Sequence, residues 1–369
     1  MNDNASSGST SGSQGPALSP GRVLAIVVPI AIVGLAAYWW SKGLEEKARV
    51  DAAPAMVARM FAADTNPLTG EMAFADANGD MIADPPSDES KLAKPDTLTF
   101  SFVAEEKVPS EETWKEHLAA IKAKTGKEVK LVHYNTAEEQ LAALKSGELH
   151  VAGLNTGLVQ MAVEQGGFVP FCTLGNADGT WGYTMEFIVP AGSPIKKLED
   201  IKGHKVTFVR TDSNSGCKAP LVLLKEKFNF LPERDYQWGF SSGQEESIKH
   251  VADKTYEVAP VASDLLAGMK KNGEIDPGSC VTIFTSERYP PATFGCIYNL
   301  APELRDGIKA AMLELDWKGS GLEQEFGPKG QSKFVAINYK DDWENTRRID
   351  KVIADARKAV AGTKAKSGS

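Results

Sequence analysis

Phe208-Val-Arg-Thr-Asp-Ser-Asn-Ser-Gly-Cys-Lys-Ala-Pro220 decides the reading of this chain. Val206, Phe208 and Val209 read as the tail of a buried strand. Leu221, Leu224 and Phe228 then recur at helical spacing and form one apolar face. Ser213, Asn214, Ser215 and Gly216 therefore sit where a strand hands over to a helix. The first N–H groups of a helix have no intrahelical partner, and its aligned dipoles favour negative charge there. Ser and Asn side chains add donors, so the turn suits an anion without needing a formal positive charge. The plainer alternative is a Ser213 helix cap and nothing more.

The rest of the chain favours the anion site. Ser213-Asn-Ser-Gly, followed by Pro220 and preceded by GHKVTFV at 203–209, resembles the ligand loop of periplasmic phosphate/phosphite/phosphonate-binding proteins of ABC transporters. The similarity extends over about residues 97–300. YNTAEEQLAALKSGELHVAGLNTGLVQMA at 134–162 resembles a second family segment and makes Asn155, Thr156 and Gly157 a second strand-to-helix turn facing a cleft. DGTWGYTMEFIVPAGSPIKKLEDIKGHKV at 178–206 resembles a long family stretch, and Tyr183 lies where the family places an aromatic over the ligand. In FSSGQEESIKHV at 240–251, Gln244 stands where the family has histidine. In YEVAPVASD at 256–264, Glu257 stands where the family carries an acidic residue.

Residue patterns give the architecture independently. Leu98–Val103, Val129–Val132 and Leu149–Leu154 read as strands, separated by helices at 110–124 and 138–145. That order predicts a mainly parallel sheet flanked by helices, with ligands at the carboxyl ends of its strands. The resemblance implies an α/β, two-lobed type II periplasmic-binding-protein fold. Lobe 1 is expected from 96–190 plus 286–360 and lobe 2 from 191–285, with crossing strands near 187–192 and 285–291. Helices at 302–322 and 343–360 are expected to close lobe 1.

Composition narrows the functions. Hydrophobic residues at 42% and charged ones at 24% describe a globular protein. A net charge of −8 without a long Lys/Arg run argues against nucleic acid as a partner. No HExxH, CxxC or Walker-type loop occurs, so no cofactor is expected. Asp76-x-Asn78-Gly-Asp80-x-x-x-Asp84 resembles a calcium loop, but its glycine is displaced and no glutamate closes it, so a solvated acidic turn is the expectation. The four cysteines, Cys172, Cys217, Cys280 and Cys296, allow three full pairings; Cys280 and Cys296 bracket one strand-loop segment, which favours that pair.

The N-terminal region reads as a polar, disordered tail over 1–22 and an apolar run from Val23 to Trp40. Its length and the aromatic Tyr38, Trp39 and Trp40 favour a transmembrane helix over a cleaved signal peptide. A juxtamembrane helix and linker at 41–95 and a disordered tail at 361–369 complete the expected organisation. The leading function is a membrane-tethered, single-pass substrate-binding protein outside the cytoplasm, which closes on a small oxyanion and presents it to an ABC transporter permease. No enzyme activity is expected. The alternatives are an enzyme on the same fold, with Glu186, Glu257 or Asp264 as base, and a ligand-sensing subunit without a transporter.

Overall fold

The computed structural model describes residues 20–62, 70–104, 108 and 110–367. The chain divides into two compact units, residues 1–53 and 54–369. In the first, helix α1 (Pro20–Met60) carries the apolar run, and Val28, Ile30, Ile32, Val33, Leu35, Tyr38, Trp39 and Trp40 are exposed. The side chains of Val23–Val27 lie outside the described residues, as does the expected disordered tail up to residue 19. Among the described residues, no helix is long and apolar enough to cross a membrane.

The second unit begins as sequence periodicity predicts. Strand β1 (Thr97–Ser101) leads to α2 (Glu111–Thr125), β2 (Glu128–Leu131), α3 (Ala137–Ser146), β3 (Val151–Leu154) and α4 (Thr156–Gly166). Thr136 caps α3 by accepting from Glu139 N–H at 3.2 Å, while the Glu139 carboxylate accepts from Asn135 N–H, a reciprocal cap. Helix α2 turns Trp114, His117 and Ile121 inward, and Gly126 at φ 69° ends it.

Then come β4 (Phe168–Gly175), β5 (Tyr183–Pro190), β6 (Lys205–Phe208), α5 (Ala219–Phe228), β7 (Gln237–Phe240), α6 (Gln244–Ala252), β8 (Ala259–Ala262) and α7 (Ser263–Lys271). The chain returns through β9 (Cys280–Tyr289), β10 (Thr293–Ile297), α8 (Pro302–Leu313), α9 (Gly321–Phe326), β11 (Lys333–Ala336), α10 (Tyr339–Asp342) and α11 (Glu344–Ser367).

Three sheets make up the two lobes. The first has six strands in the order β11-β4-β10-β3-β1-β2. Its β2-β1-β3 half is parallel, whereas β10 runs antiparallel to both β3 and β4, and β11 antiparallel to β4. The second lobe holds antiparallel β8-β5-β9 and the parallel pair β6-β7, joined by a bridge between Val206 and Val258. Phe187 and Ile188, adjacent on β5, face different cores, which places helices on both sides of this sheet.

The chain changes sheets at 176–182 and at 290–292, between β4 and β5 and between β9 and β10. The first crossing precedes the expected 187–192, whereas the second overlaps the expected 285–291. The alternating segment from Tyr183 to Pro190 pairs along its length with β8 and β9, so it belongs wholly to the second lobe.

Both ends of this unit also differ from expectation. Helix α11 does not simply close lobe 1: Trp343, just before it, is buried in the first core, while Ile349, Ile353 and Ala356 enter the second. It runs to Ser367, so residues 361–367 continue a helix. The stretch expected to be a linker is packed. Val57, Met60 and Phe61 join the second core, and Arg59 grips Glu233 with two hydrogen bonds, the shorter 2.6 Å. Further on, Ala73 N–H donates to the Glu164 carbonyl at 2.8 Å, and Phe74 lies on Tyr298.

The cysteines form no disulfide. Cys172, Cys217, Cys280 and Cys296 are all buried thiols. Cys296 lies in the first-lobe core and Cys280 in the second lobe, which removes the favoured pairing. The acidic loop spends its oxygens on its own backbone: Asp76 accepts from Asp80 and Met81 N–H, and Asp84 from Ala77 N–H. Among the described residues no group of three or more His, Cys, Asp or Glu side chains is placed to hold a metal ion.

Candidate functional site

The two strand-to-helix turns meet. Asn155, at the end of β3, caps α4 by accepting from Leu158 N–H at 3.0 Å, and its amide donates to Asp212 of the second lobe at 2.8 Å. Ser213 accepts from Gly216 N–H at 3.1 Å and opens a single π-type turn, Asn214–Lys218, that runs into α5. Gly216 is tight for a reason of its own: a Cβ there would lie 2.6 Å from Val209. A cavity of about 720 Å³ opens beside these turns.

Asn155, Thr156, Tyr183, Ser213, Asn214, Ser215 and Gln244 all line that cavity. A chain of hydroxyl and amide groups links the lobes. Tyr183 Oη donates to Thr156 Oγ1 at 3.2 Å, Asn214 Nδ2 donates to Tyr183 Oη at 3.4 Å, and Thr156 Oγ1 donates to the Pro290 carbonyl at 2.6 Å. Burial pushes the Tyr183 phenol above its usual range, so it remains a donor at neutral pH. Gln244 donates to Ser215 Oγ at 3.1 Å and accepts from Ala262 N–H at 2.6 Å. Such a wall of neutral donors suits an oxyanion, each charge-assisted hydrogen bond contributing about 1.5–3 kcal/mol.

Phe102, Trp114, Phe326, Lys329, Gln331 and Asp264 also line the cavity. Asp264 (on α7) accepts from Gln331 at 3.3 Å, a further contact between the lobes. Burial pushes the Asp264 carboxyl up, opposed by the Leu265 N–H bond and by Lys329.

Residues 100–343 match the family model of the phosphonate ABC transporter periplasmic substrate-binding protein. The chain belongs to that family. Solved structures agree on the fold. A binding-protein component of an ABC phosphonate transporter from Pseudomonas aeruginosa is 17% identical, with a TM-score of 0.57 over 73% of this chain and 100% of that one. A Prochlorococcus marinus protein in complex with methylphosphonate is 13% identical, with a TM-score of 0.59 over 70% and 99%. A Xanthomonas citri protein bound to chloride ion is 14% identical, with a TM-score of 0.57 over 73% and 100%.

Two expected site residues fall outside the cavity lining of this binding protein. Gly216 shapes the turn from behind. Glu257 is remote in role: its carboxylate accepts from Lys205 N–H at 2.8 Å and lies 3.3 Å from His204, pinning β6 beside the entry to β8. Tyr183 is in the cavity but arrives from the second lobe, not from the side of Asn155 and Thr156. Sequence reasoning passed over Lys329 and Gln331, which lie in a short irregular stretch between α9 and β11 that carries no periodicity. It also passed over Lys218, whose partners are 61 and 132 residues away.

Proposed function

We propose that this protein captures a phosphonate-type oxyanion between its lobes and delivers it to an ABC transporter permease. The observation that carries this reading is the meeting of the 155–157 and 212–215 turns at one cavity, bridged by Thr156, Tyr183 and Asn214. Ser213, Asn214, Ser215, Asn155, Thr156, Tyr183 and Gln244 supply the neutral contacts to the anion. The methylphosphonate held by the Prochlorococcus marinus relative supports the ligand class. The work is binding and lobe closure, not turnover, and the anion's charge is met by donors rather than by a metal. Calorimetry of the purified full-length chain with methylphosphonate, phosphite, phosphate and sulfate is the test. Micromolar or tighter binding of a phosphorus oxyanion is expected, and absence of binding to all four would overturn the reading.

The tether belongs to the same proposal. Val23–Trp40 anchors the binding domain on the outer face of the cytoplasmic membrane, supported by the apolar run and by its exposed Val, Ile, Leu and Trp side chains. N-terminal sequencing of membrane-associated protein decides it. A mature chain starting beyond Ala37 would make the segment a cleaved signal.

A further inference from the structure

Lys218 ends the anion-side turn, and its ammonium is buried, away from the cavity lining. A buried charge is costly unless paired and hydrogen-bonded. Lys218 Nζ donates to the Gly157 carbonyl at 2.6 Å and to Asp350 Oδ1 at 2.8 Å. Gly157 lies in the first turn of α4, one residue after Thr156, on lobe 1. Asp350 lies on α11, whose Ile349, Ile353 and Ala356 enter the second-lobe core.

These contacts tie three separate segments at one point. The Lys218–Gly157 bond forms only when the second-lobe turn abuts the start of α4. That same abutment brings Thr156, Tyr183 and Asn214 within hydrogen-bonding reach. It also needs a glycine, because a Cβ on residue 157 would lie 2.0 Å from the Asp212 carbonyl oxygen. A bond present in only one arrangement of two lobes stabilises that arrangement, and a ligand touching both turns gains affinity from it.

We propose that Lys218 is an interlobe clasp: a positioning residue that holds the two anion-binding turns together from behind, with Asp350 as its counter-charge. The link to affinity rests on the anion-capture reading above; the clasp itself does not.

The experiment uses the full-length chain with spin labels on cysteines introduced at two exposed positions, Lys130→Cys on lobe 1 and Glu199→Cys on lobe 2. Interlobe distances are measured without ligand, then methylphosphonate and phosphate affinities by calorimetry. The Lys218→Met, Asp350→Leu pair removes both charges, which leaves no orphan ion in the core. Its distance distribution should become longer and broader, and affinity should fall by about tenfold or more. A Lys218→Gln, Asp350→Asn pair should fall between the two, and it serves if the apolar pair does not fold. A folded double variant with the parental distance distribution would overturn the clasp. If the parent binds neither anion, the functional reading fails, while the distance comparison still decides the clasp.

Discussion

The side-chain amide of Gln244 donates to Ser215 Oγ at 3.1 Å while its carbonyl accepts from the Ala262 N–H at 2.6 Å. Both ends of a neutral side chain are thus used, and Ser215 keeps its own hydroxyl proton for another acceptor. Because an amide does not titrate, anion affinity should change little between about pH 6 and pH 8 beyond the ligand's own ionisation. Gln244→His should introduce a new dependence, with affinity rising as pH falls and the imidazole gains charge. Calorimetry at several pH values measures it. A steep pH dependence in the parent would contradict the assignment.

The two serines should not behave alike. Ser213 Oγ accepts from the Gly216 N–H and keeps its hydroxyl proton for the anion, so Ser213→Ala should cost about 1 kcal/mol of stability for a lost cap in addition to affinity. Ser215 is almost wholly buried at the cavity, and Ser215→Ala should weaken anion binding by roughly tenfold or more through a lost charge-assisted bond. The double variant should lose at least that much affinity. Thermal melts and calorimetry on the same preparations separate the effects; unchanged affinity in the double variant would reduce this turn to a helix cap.

Local patterns made much of the fold legible. Trp114 and Ile121 announced α2, and the strand-to-helix turns at 155–157 and 213–216 were visible because both follow apolar strands and open apolar helical faces. Long-range choices were not legible. Nothing near residue 293 says that β10 inserts antiparallel between β3 and β4, since that depends on where the second lobe returns its chain. Glu257 stood in a segment similar to the family's, yet its carboxylate is used by a neighbouring strand. Lys218 carries no local signal of its role, since its partners Gly157 and Asp350 lie far away in sequence.

His117 is fully buried among Phe100, Trp114, Phe294 and Phe334, with neither ring nitrogen hydrogen-bonded. Burial lowers its pKa from 6.5 to about 3. The unfolded chain therefore binds a proton that the folded one refuses, so stability falls as pH drops from 6.5 towards 3, by about 1.4 kcal/mol per pH unit for this single group. Above pH 6.5 the penalty vanishes. His117→Leu should flatten that part of the acid-unfolding profile. Denaturant titrations at pH 7 and pH 4.5 provide the comparison, and an equal loss on acidification in parent and variant would contradict a buried neutral imidazole.

Gly157 offers the sharpest separation of lobe stability from lobe contact. Within α4 an alanine is favoured over glycine by about 1 kcal/mol, so Gly157→Ala alone should strengthen the helix. Across the interface the same Cβ would sit 2.0 Å from the Asp212 carbonyl oxygen and 2.9 Å from the Asn214 nitrogen. Both are backbone atoms, so no rotamer change relieves the clash and the turns must move apart. Asn155 would then lose its reach to Asp212, and Tyr183 its reach to Thr156. The expected result is an unchanged helical signal with methylphosphonate affinity lowered by about tenfold or more, although the substituted residue touches no ligand. Parental affinity in a folded Gly157→Ala protein would show that the turns need not approach this closely to hold the anion.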